Sequence, residues 1–471
     1  MIVVDLPMIN SSKADGGLRK YKGSRYNHFV KQDDGTCLIY NSVTNALSFM
    51  DGEARRRYED FHKGTYPQRD SKLDQHLMEG GYIVPDGMDE IAHMKHLHLS
   101  SRFDTSTWTL TICPTIACNF GCDYCFEVHR PGKMKSEVQD AIIALLEERA
   151  PRLEAFNVTW YGGEPTIAWD VIQMLSRRIV DLCNRHNIAY EAGMISNGYL
   201  LDETKVRELE NLRINKVQIT LDGDAEYHDQ RRVLLSGKGT FRRIVENLKH
   251  FIGRSTYVSI RVNVDERNRD GVHALIDRLA TAGLAGHENI NMYFAAVSST
   301  TAPSQSVIHH CLTRKGFSQL EIDYLQYAMA RGLAHAPFPT HKFAGCIAIR
   351  PEEYVIQADG ELHKCWDTVG QSQYAVGHLL DPQRNPLKSP EYTRWLAYDP
   401  FDSSLACRTC TWLPTCMGGC PYHAVHPAKP GEGIYLECST FKYNFKTTLP
   451  MFAGALEEGE GTPVNNDLCS S

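Results

Sequence analysis

Three runs near the start of the chain, Tyr26 to Val30, Cys37 to Tyr40 and Ala46 to Phe49, are rich in apolar and aromatic residues. Asp34-Gly35 and Asn41 to Asn45 supply turn chemistry between them. This spacing predicts a β-meander. Helical patterning follows: Asp51 can cap the free amides of a helix running to His62, and Leu73 with Leu77 puts two apolar side chains on one face before Gly80-Gly81. Residues 1–100 are therefore expected to form a separate α+β module. Beyond it, Trp108 to Cys113, Asn157 to Tyr161, Glu191 to Ser196, Lys216 to Asp222, Val258 to Val264 and Asn289 to Ala295 alternate with long amphipathic stretches. Six β/α units predict an α/β fold, a parallel, curved sheet over residues 101–300. Ligands of such sheets lie beyond the carboxyl ends of the strands. Gly162-Gly163-Glu164, Ser196-Asn197-Gly198 and Asp222-Gly223 all fall there. Residues 301–345 read as a connecting region. Over 346–450 periodicity gives way to Cys, Gly, Pro and aromatics, as in an irregular, metal-organised domain. The tail, 451–471, turns polar from Glu457 to Ser471 and is expected to be disordered there.

With 471 residues, 42% of them hydrophobic, the chain can build two or three cores. Its formal charge of -7 gives no global positive field for nucleic acid or an anionic membrane. No apolar run approaches the roughly 20 residues of a membrane span, and Met1 to Ser12 has neither a basic n-region nor a long apolar h-region. These features predict a cytoplasmic protein with no nucleic-acid or membrane partner. Its 15 cysteines then become informative, because a reducing compartment disfavours a disulfide framework and leaves metal ligation as the leading explanation. Ten fall into two spaced groups, one around Cys118 to Cys125 and one from Cys346 to Cys438. Cys37, Cys113, Cys183, Cys311 and Cys469 stand alone and read as small buried hydrophobes or surface thiols.

The first group, Cys118-x3-Cys122-x2-Cys125, directly follows the first strand of the parallel sheet. One short loop can so present three thiolates to three irons of a cubane cluster, leaving the fourth iron open to chelate a cofactor and pass it an electron. Structural zinc is the alternative, but it wants four protein ligands in a closed site and no fourth lies nearby. With Tyr124 before its last Cys, the loop resembles the signature of radical S-adenosylmethionine (SAM) enzymes, which implies a partial (β/α)6 barrel as the core. The resemblance continues strand by strand. Gly162-Gly163-Glu164-Pro165 resembles the GGEP segment implied to receive the SAM amino group; independently, paired glycines permit close backbone approach and a carboxylate suits an ammonium. Ser196 and Thr220 match positions implied to contact the ribose or methionine part, and Asn263 a polar position near the ribose. Asp222-Gly223 through His228-Asp229 to Arg232 follows the DG-x4-HD-x2-R pattern of the peptide-modifying branch. Its Arg is implied to meet the SAM carboxylate, which a planar guanidinium can bind with both prongs. Alone, each of these reads as a cap, a turn or an ion pair; their joint order carries the signal.

The second group, Cys407-x2-Cys410-x5-Cys416-x3-Cys420 with Cys438 seventeen residues on, is preceded by Cys346-x13-Gly360-x4-Cys365 and resembles the seven-cysteine SPASM domain. This implies two auxiliary [4Fe-4S] clusters, three in all. Cys407, Cys410, Cys416 and Cys438 would close one. Cys346, Cys365 and Cys420 would give three ligands to the other, whose fourth iron is open, binds substrate or recruits a distant residue such as Cys311. A pair of zinc knuckles is the alternative, although seven thiolates divide awkwardly into closed four-ligand sites. In sulfatase-maturating members an Asp base follows the Cys of the G-x4-C element; here Trp366 does, with Asp367 one place later as the catalytic candidate. That favours a peptide crosslink, thioether or carbon-carbon, over formylglycine formation. The amino-terminal module resembles the winged-helix-like leader-recognition domains of maturases of ribosomally made peptides, which bind an extended leader as an added strand; a structural cap on the barrel is the alternative. The expectation is a radical SAM peptide maturase. It would cleave SAM reductively, abstract hydrogen from a precursor peptide or small protein with the 5'-deoxyadenosyl radical, and draw electrons from a low-potential donor of flavodoxin or ferredoxin type. The rival readings are a maturase of a larger protein partner and a non-catalytic iron-sulfur electron-transfer protein.

Overall fold

The computed structural model describes residues 20–63, 71–299, 301, 303–426 and 438–457. Met1 to Ser12, Cys469 and the chain from residue 458 lie outside them. The expected meander is β2 (Asn27–Lys31), β3 (Cys37–Asn41) and β4 (Leu47–Met50), an antiparallel sheet of order β2-β3-β4 whose central strand is buried throughout. Asp51 starts the next helix, Gly52–Lys63, by accepting the amides of Glu53 and Ala54 at 2.9 and 2.8 Å. A helix at Ser71–Glu79 follows. Two features went unread in the sequence. β1 (Tyr21–Gly23) pairs antiparallel with β5 (Ile83–Pro85), each too short to show alternation. A further helix, Glu90–Arg102, lacks a clean apolar stripe because its Met94, His98 and Arg102 face packs into protein rather than solvent. Arg102 donates to the carbonyls of Ile349, Leu396 and Tyr398 at 2.8, 2.6 and 3.0 Å, fastening this helix to the carboxyl-terminal third of the chain.

β6 (Thr107–Ile112), β7 (Ala155–Trp160), β8 (Ala189–Ser196), β9 (Ile214–Thr220), β10 (Tyr257–Val264) and β11 (Ile290–Ala296) are the six expected parallel strands, paired in sequence order. Their period-two alternation sorts residues into two populations. Trp108, Leu110, Ile112, Phe156, Val158, Trp160, Val217 and Ile219 are buried in the apolar core. Thr109, Thr111, Asn157, Thr159, Gln218 and Thr220 line a cavity on the concave side.

The sheet does not stop at β6. β12 (Tyr354–Ile356) joins its outer edge in parallel, and β13 (Glu361–His363) and β14 (Gly377–His378) follow antiparallel, giving nine strands of order β11-β10-β9-β8-β7-β6-β12-β13-β14. Ile356, Leu362, Val376, Tyr392, Trp395 and Tyr422 belong to the same apolar core as the barrel strands. The cysteine-rich region thus shares the parallel sheet's core, an extension that three two- or three-residue strands could not announce in sequence. The connecting region contributes helix Arg314–Met329, which packs on β11 and on a final helix, Phe441–Glu457. That last helix runs six residues past the start of the expected tail.

Candidate functional site

β6 ends at Ile112 and the chain crosses the strand ends as an irregular loop. Backbone bonds pin it: Cys113 N–H to Ile356 O (2.8 Å), Met134 N–H to Pro114 O (2.8 Å), and a bridge to a neighbouring hairpin through Gly121 N–H to Val233 O (2.9 Å) and Leu235 N–H to Asn119 O (3.0 Å). The loop turns Cys118, Cys122 and Cys125 toward a cavity of about 900 Å³. Burial raises all three thiols, Cys118 and Cys122 upward and Cys125 to about 12. Left to themselves they would stay protonated at neutral pH, so the loop holds thiolates only against a cation that displaces the protons. Such a donor set suits a sulfur-ligated metal group.

Gly162 and Gly163, after β7, border the same cavity. Gly162 has φ +111° and a Cβ there would meet Thr115 O at 2.2 Å; one on Gly163 would meet Ala117 O at 2.5 Å. Glycine at both places lets this turn lie directly against the cysteine loop. Glu164 is fully buried and is not among the cavity-lining residues. Its carboxylate accepts from Thr166 N–H (3.1 Å), the Thr166 hydroxyl, Ser196 Oγ (2.8 Å) and Asn197 N–H (2.7 Å), tying the turns after β7 and β8 together. Buried Pro165 opens the short turn that follows. Ser196, Thr220 and Asn263, at the ends of β8, β9 and β10, line the cavity.

Tyr124 Oη accepts from Arg232 Nη1 at 2.5 Å and from Asn263 Nδ2 at 3.3 Å, bringing three predicted residues to one point. Arg231 lies over the Tyr124 ring at 5.0 Å and pairs with Asp265 at 3.2 Å. Burial and the two arginines hold His228 well below its usual range, so it is neutral. Its Nδ1 accepts Asp222 N–H (3.3 Å), and Nε2 donates to Thr240 Oγ1 (3.0 Å), which donates to Arg232 O (2.5 Å). The DG-x4-HD-x2-R segment is therefore a folded latch whose output is the placement of Arg232.

Cys346, Cys365, Cys416, Cys420 and Cys438 line this same cavity, whereas Cys407 and Cys410 pack against Tyr26, Met94 and Leu413 behind it. Burial raises Cys346, Cys365 and Cys416, and Lys442 Nζ lies 3.5 Å from Cys438 Sγ. Among the described residues no three His, Cys, Asp or Glu side chains converge to hold a single metal ion. Cys311 does not line the cavity, and Cys37, Cys113 and Cys183 are buried. Asp367 does line it. Trp366 stacks on Tyr161 at 4.7 Å and donates to Thr111 Oγ1 at 2.9 Å. Two lining residues went unassigned in the sequence: Glu127, pushed up to about 7 chiefly by burial, and His129, whose Nε2 is 3.7 Å from Cys125 Sγ. Their only sequence signal was position, two and four residues beyond Cys125.

A sequence profile for the radical SAM superfamily matches residues 112–279. The cysteine-type anaerobic sulfatase-maturating enzyme of Clostridium novyi (strain NT) is 22% identical over 361 residues, 70% of this chain and 92% of the relative. The mycofactocin maturase MftC of Mycolicibacterium smegmatis is 27% identical over 351 residues, 70% of this chain and 81% of the relative. Among solved structures, Streptococcus suis SuiB bound to precursor peptide SuiA superposes with a TM-score of 0.52 at 14% identity, covering 89% of this chain and 99% of that one.

Proposed function

From the premise that the chain is a radical SAM enzyme, with its radical SAM domain at residues 112–279, we propose that it modifies a ribosomally made peptide, installing a thioether or carbon-carbon crosslink. The observation that carries this reading is the single cavity bordered both by Cys118, Cys122 and Cys125 and by five cysteines of the carboxyl-terminal group. A substrate lying there touches both thiolate sets. Relatives named as maturases of sulfatases and of mycofactocin, and a structural neighbour bound to its precursor peptide, support peptide modification.

In this reading Cys118, Cys122 and Cys125 hold a [4Fe-4S] cluster. Cys407, Cys410, Cys416 and Cys438, with Cys346, Cys365 and Cys420, hold two more in a SPASM-type domain. Bound there, the cluster and SAM would supply radical chemistry able to take hydrogen from an unactivated carbon. The protein's own part is positional. Gly162 and Gly163 give backbone close approach to the cofactor's amino group. Arg232, fixed by the His228 latch, offers its fork to the cofactor carboxylate, and Tyr124, Ser196, Thr220 and Asn263 border the ribose and methionine parts. Asp367 is the candidate to accept the proton a crosslink releases, and the amino-terminal module is the candidate to hold the leader. A low-potential protein of flavodoxin or ferredoxin type would supply electrons. Modification of a larger protein partner is the second reading, favoured by the sulfatase-maturase likeness and by Asp367 lying in the cavity.

The test is anaerobic reconstitution with iron counting, 5'-deoxyadenosine assay and mass analysis of a co-expressed short peptide. The expected outcome is about twelve irons, as three four-iron clusters require, nucleoside formation, and loss of hydrogen mass from the peptide. About four irons and no nucleoside would sink it.

A further inference from the structure

The loop bearing Cys118, Cys122 and Cys125 has two faces. The thiols point into the cavity. The opposite face carries a hairpin, residues 233–239, bonded to it through Gly121 N–H to Val233 O and Leu235 N–H to Asn119 O. Its tip is closed by Leu234 N–H to Lys238 O (2.9 Å) and Gly237 N–H to Leu234 O (2.7 Å), with Gly237 at φ +79°. Leu235 is 73% exposed, and its Cδ2 lies 3.6 Å from where a Cβ on exposed Gly121 would sit. One exposed leucine is ordinary. This one stands over Gly121, the last of the three residues between Cys118 and Cys122.

The sequence that follows it is basic. Lys238, Arg242 and Arg243 are exposed, and no Asp or Glu occurs from Gln230 to Val245; Glu246, the next residue, pairs with Lys249 at 3.0 Å. Nearby acids are engaged: Asp229 accepts the amides of Thr240 (2.7 Å) and Phe241 (2.9 Å), and Asp123 pairs with Arg267 at 2.6 Å. Asp202, which Arg243 helps hold below the usual carboxylate range, already pairs with Lys205 at 2.8 Å. An exposed leucine on a stretch that carries exposed cations and no acid, in a chain of net charge -7, is a local reversal of the protein's overall sign.

We propose that this hairpin is the docking surface for an acidic, one-electron donor protein that reduces the group held by Cys118, Cys122 and Cys125. The inference rests on the radical SAM reading above. Lys238 and Arg242 steer the acidic partner and Leu235 anchors it. The donor loses one electron and the metal group gains one; no bond or proton changes at the hairpin itself.

The experiment uses the reconstituted full-length enzyme with SAM, reads 5'-deoxyadenosine, and compares dithionite with reduced flavodoxin as donor. The variants are Leu235→Ser and the surface pair Lys238→Glu with Arg242→Glu. With dithionite each should keep the wild-type rate within about twofold, whereas KM for flavodoxin should rise about tenfold or more, the size expected for losing an anchor or reversing steering charges. Unchanged flavodoxin kinetics in both variants would place docking elsewhere and overturn the inference. An equal fall with both donors would show that the hairpin only braces the loop, and would overturn it too. No nucleoside from wild type with dithionite would bring down the functional reading, and this inference with it.

Discussion

The two cysteine sets are held by different means. Cys118, Cys122 and Cys125 sit on a loop fixed by backbone bonds to Ile356, Val233 and Leu235 and by glycines of the neighbouring turn. Cys407 and Cys410 are held instead by side-chain packing from residues more than 300 positions earlier. Arg25 Nη2 donates to Thr409 O (2.9 Å), Ser42 Oγ to Thr411 O (2.9 Å) and His28 Nε2 to Thr411 O (3.2 Å). The His28 ring stacks on Trp412 at 3.7 Å. Val30, Leu38 and Tyr40 share an apolar cluster with Trp412, Leu449 and Ala453. The first set is organised by the sheet, and the second by the amino-terminal module. The amino-terminal module is thus also a wall of the carboxyl-terminal cysteine region.

The largest expected effect separates the sets outright. Cys118→Ala should drop 5'-deoxyadenosine formation to background while hydrogen exchange across 20–63 stays native. Cys407→Ala should leave SAM cleavage measurable, lower the iron content and raise exchange in 20–63. Equal loosening of the amino-terminal module by both variants would break the comparison. Next comes Trp412→Ala. Removing a buried aromatic costs about 3–5 kcal/mol, and the loss should appear as a lower Tm with exchange confined to 20–63 and 407–420. Faster exchange at 112–125 would show the sets to be one unit.

Legibility followed the same division. The six parallel strands were readable because alternation and turn signals repeat six times, and the ends shifted by no more than two residues. The cysteine spacings stand in the sequence itself, and the structure brings eight of those ten cysteines to the lining of one cavity. β12 to β14 were not, since strands of two or three residues carry no period. Nor was the helix Glu90–Arg102, whose His98 and Arg102 are buried by partners far along the chain. Glu164 shows the limit for the site. A carboxylate after two glycines reads as a cofactor contact, yet the structure surrounds it with Thr166, Ser196 and Asn197 donors, which sequence order alone could not reveal.

A pH experiment sharpens the comparison further. Burial lowers His28 from 6.5 to about 4, against the Thr411 carbonyl, which favours the charged ring. Above pH 6.5 both folded and unfolded chains hold it neutral. As pH falls from 6.5 toward 4 the unfolded chain takes up a proton that the folded protein refuses, so stability declines through that window, by about 3 kcal/mol at its lower end. Thermal unfolding of wild type and His28→Phe across pH 4 to 7 checks this; the variant should lack most of the slope. An identical slope in both would remove His28 as the acid-sensitive joint between the module and Trp412.

The smallest effect falls on the first set. Gly163 has no left-handed backbone to excuse it. What an added Cβ meets is backbone, Ala117 O at 2.5 Å and Ile116 O at 2.7 Å, which cannot swing aside as a side-chain tip would. Gly163→Ala must push the segment before Cys118 away from the turn after β7. Overpacking of this kind costs about 1–3 kcal/mol. Because the displaced segment leads directly into Cys118, which lines the cavity, the cost should appear as SAM affinity weakened about tenfold for each 1.4 kcal/mol, with iron content and exchange at 407–420 unchanged. SAM titration by calorimetry on the reconstituted enzyme reads the first, and exchange the second. Weakened binding accompanied by loosening around Cys407 would mean that the sheet transmits strain through β12 into the second set, and the division drawn here would fail at the one strand the two regions share.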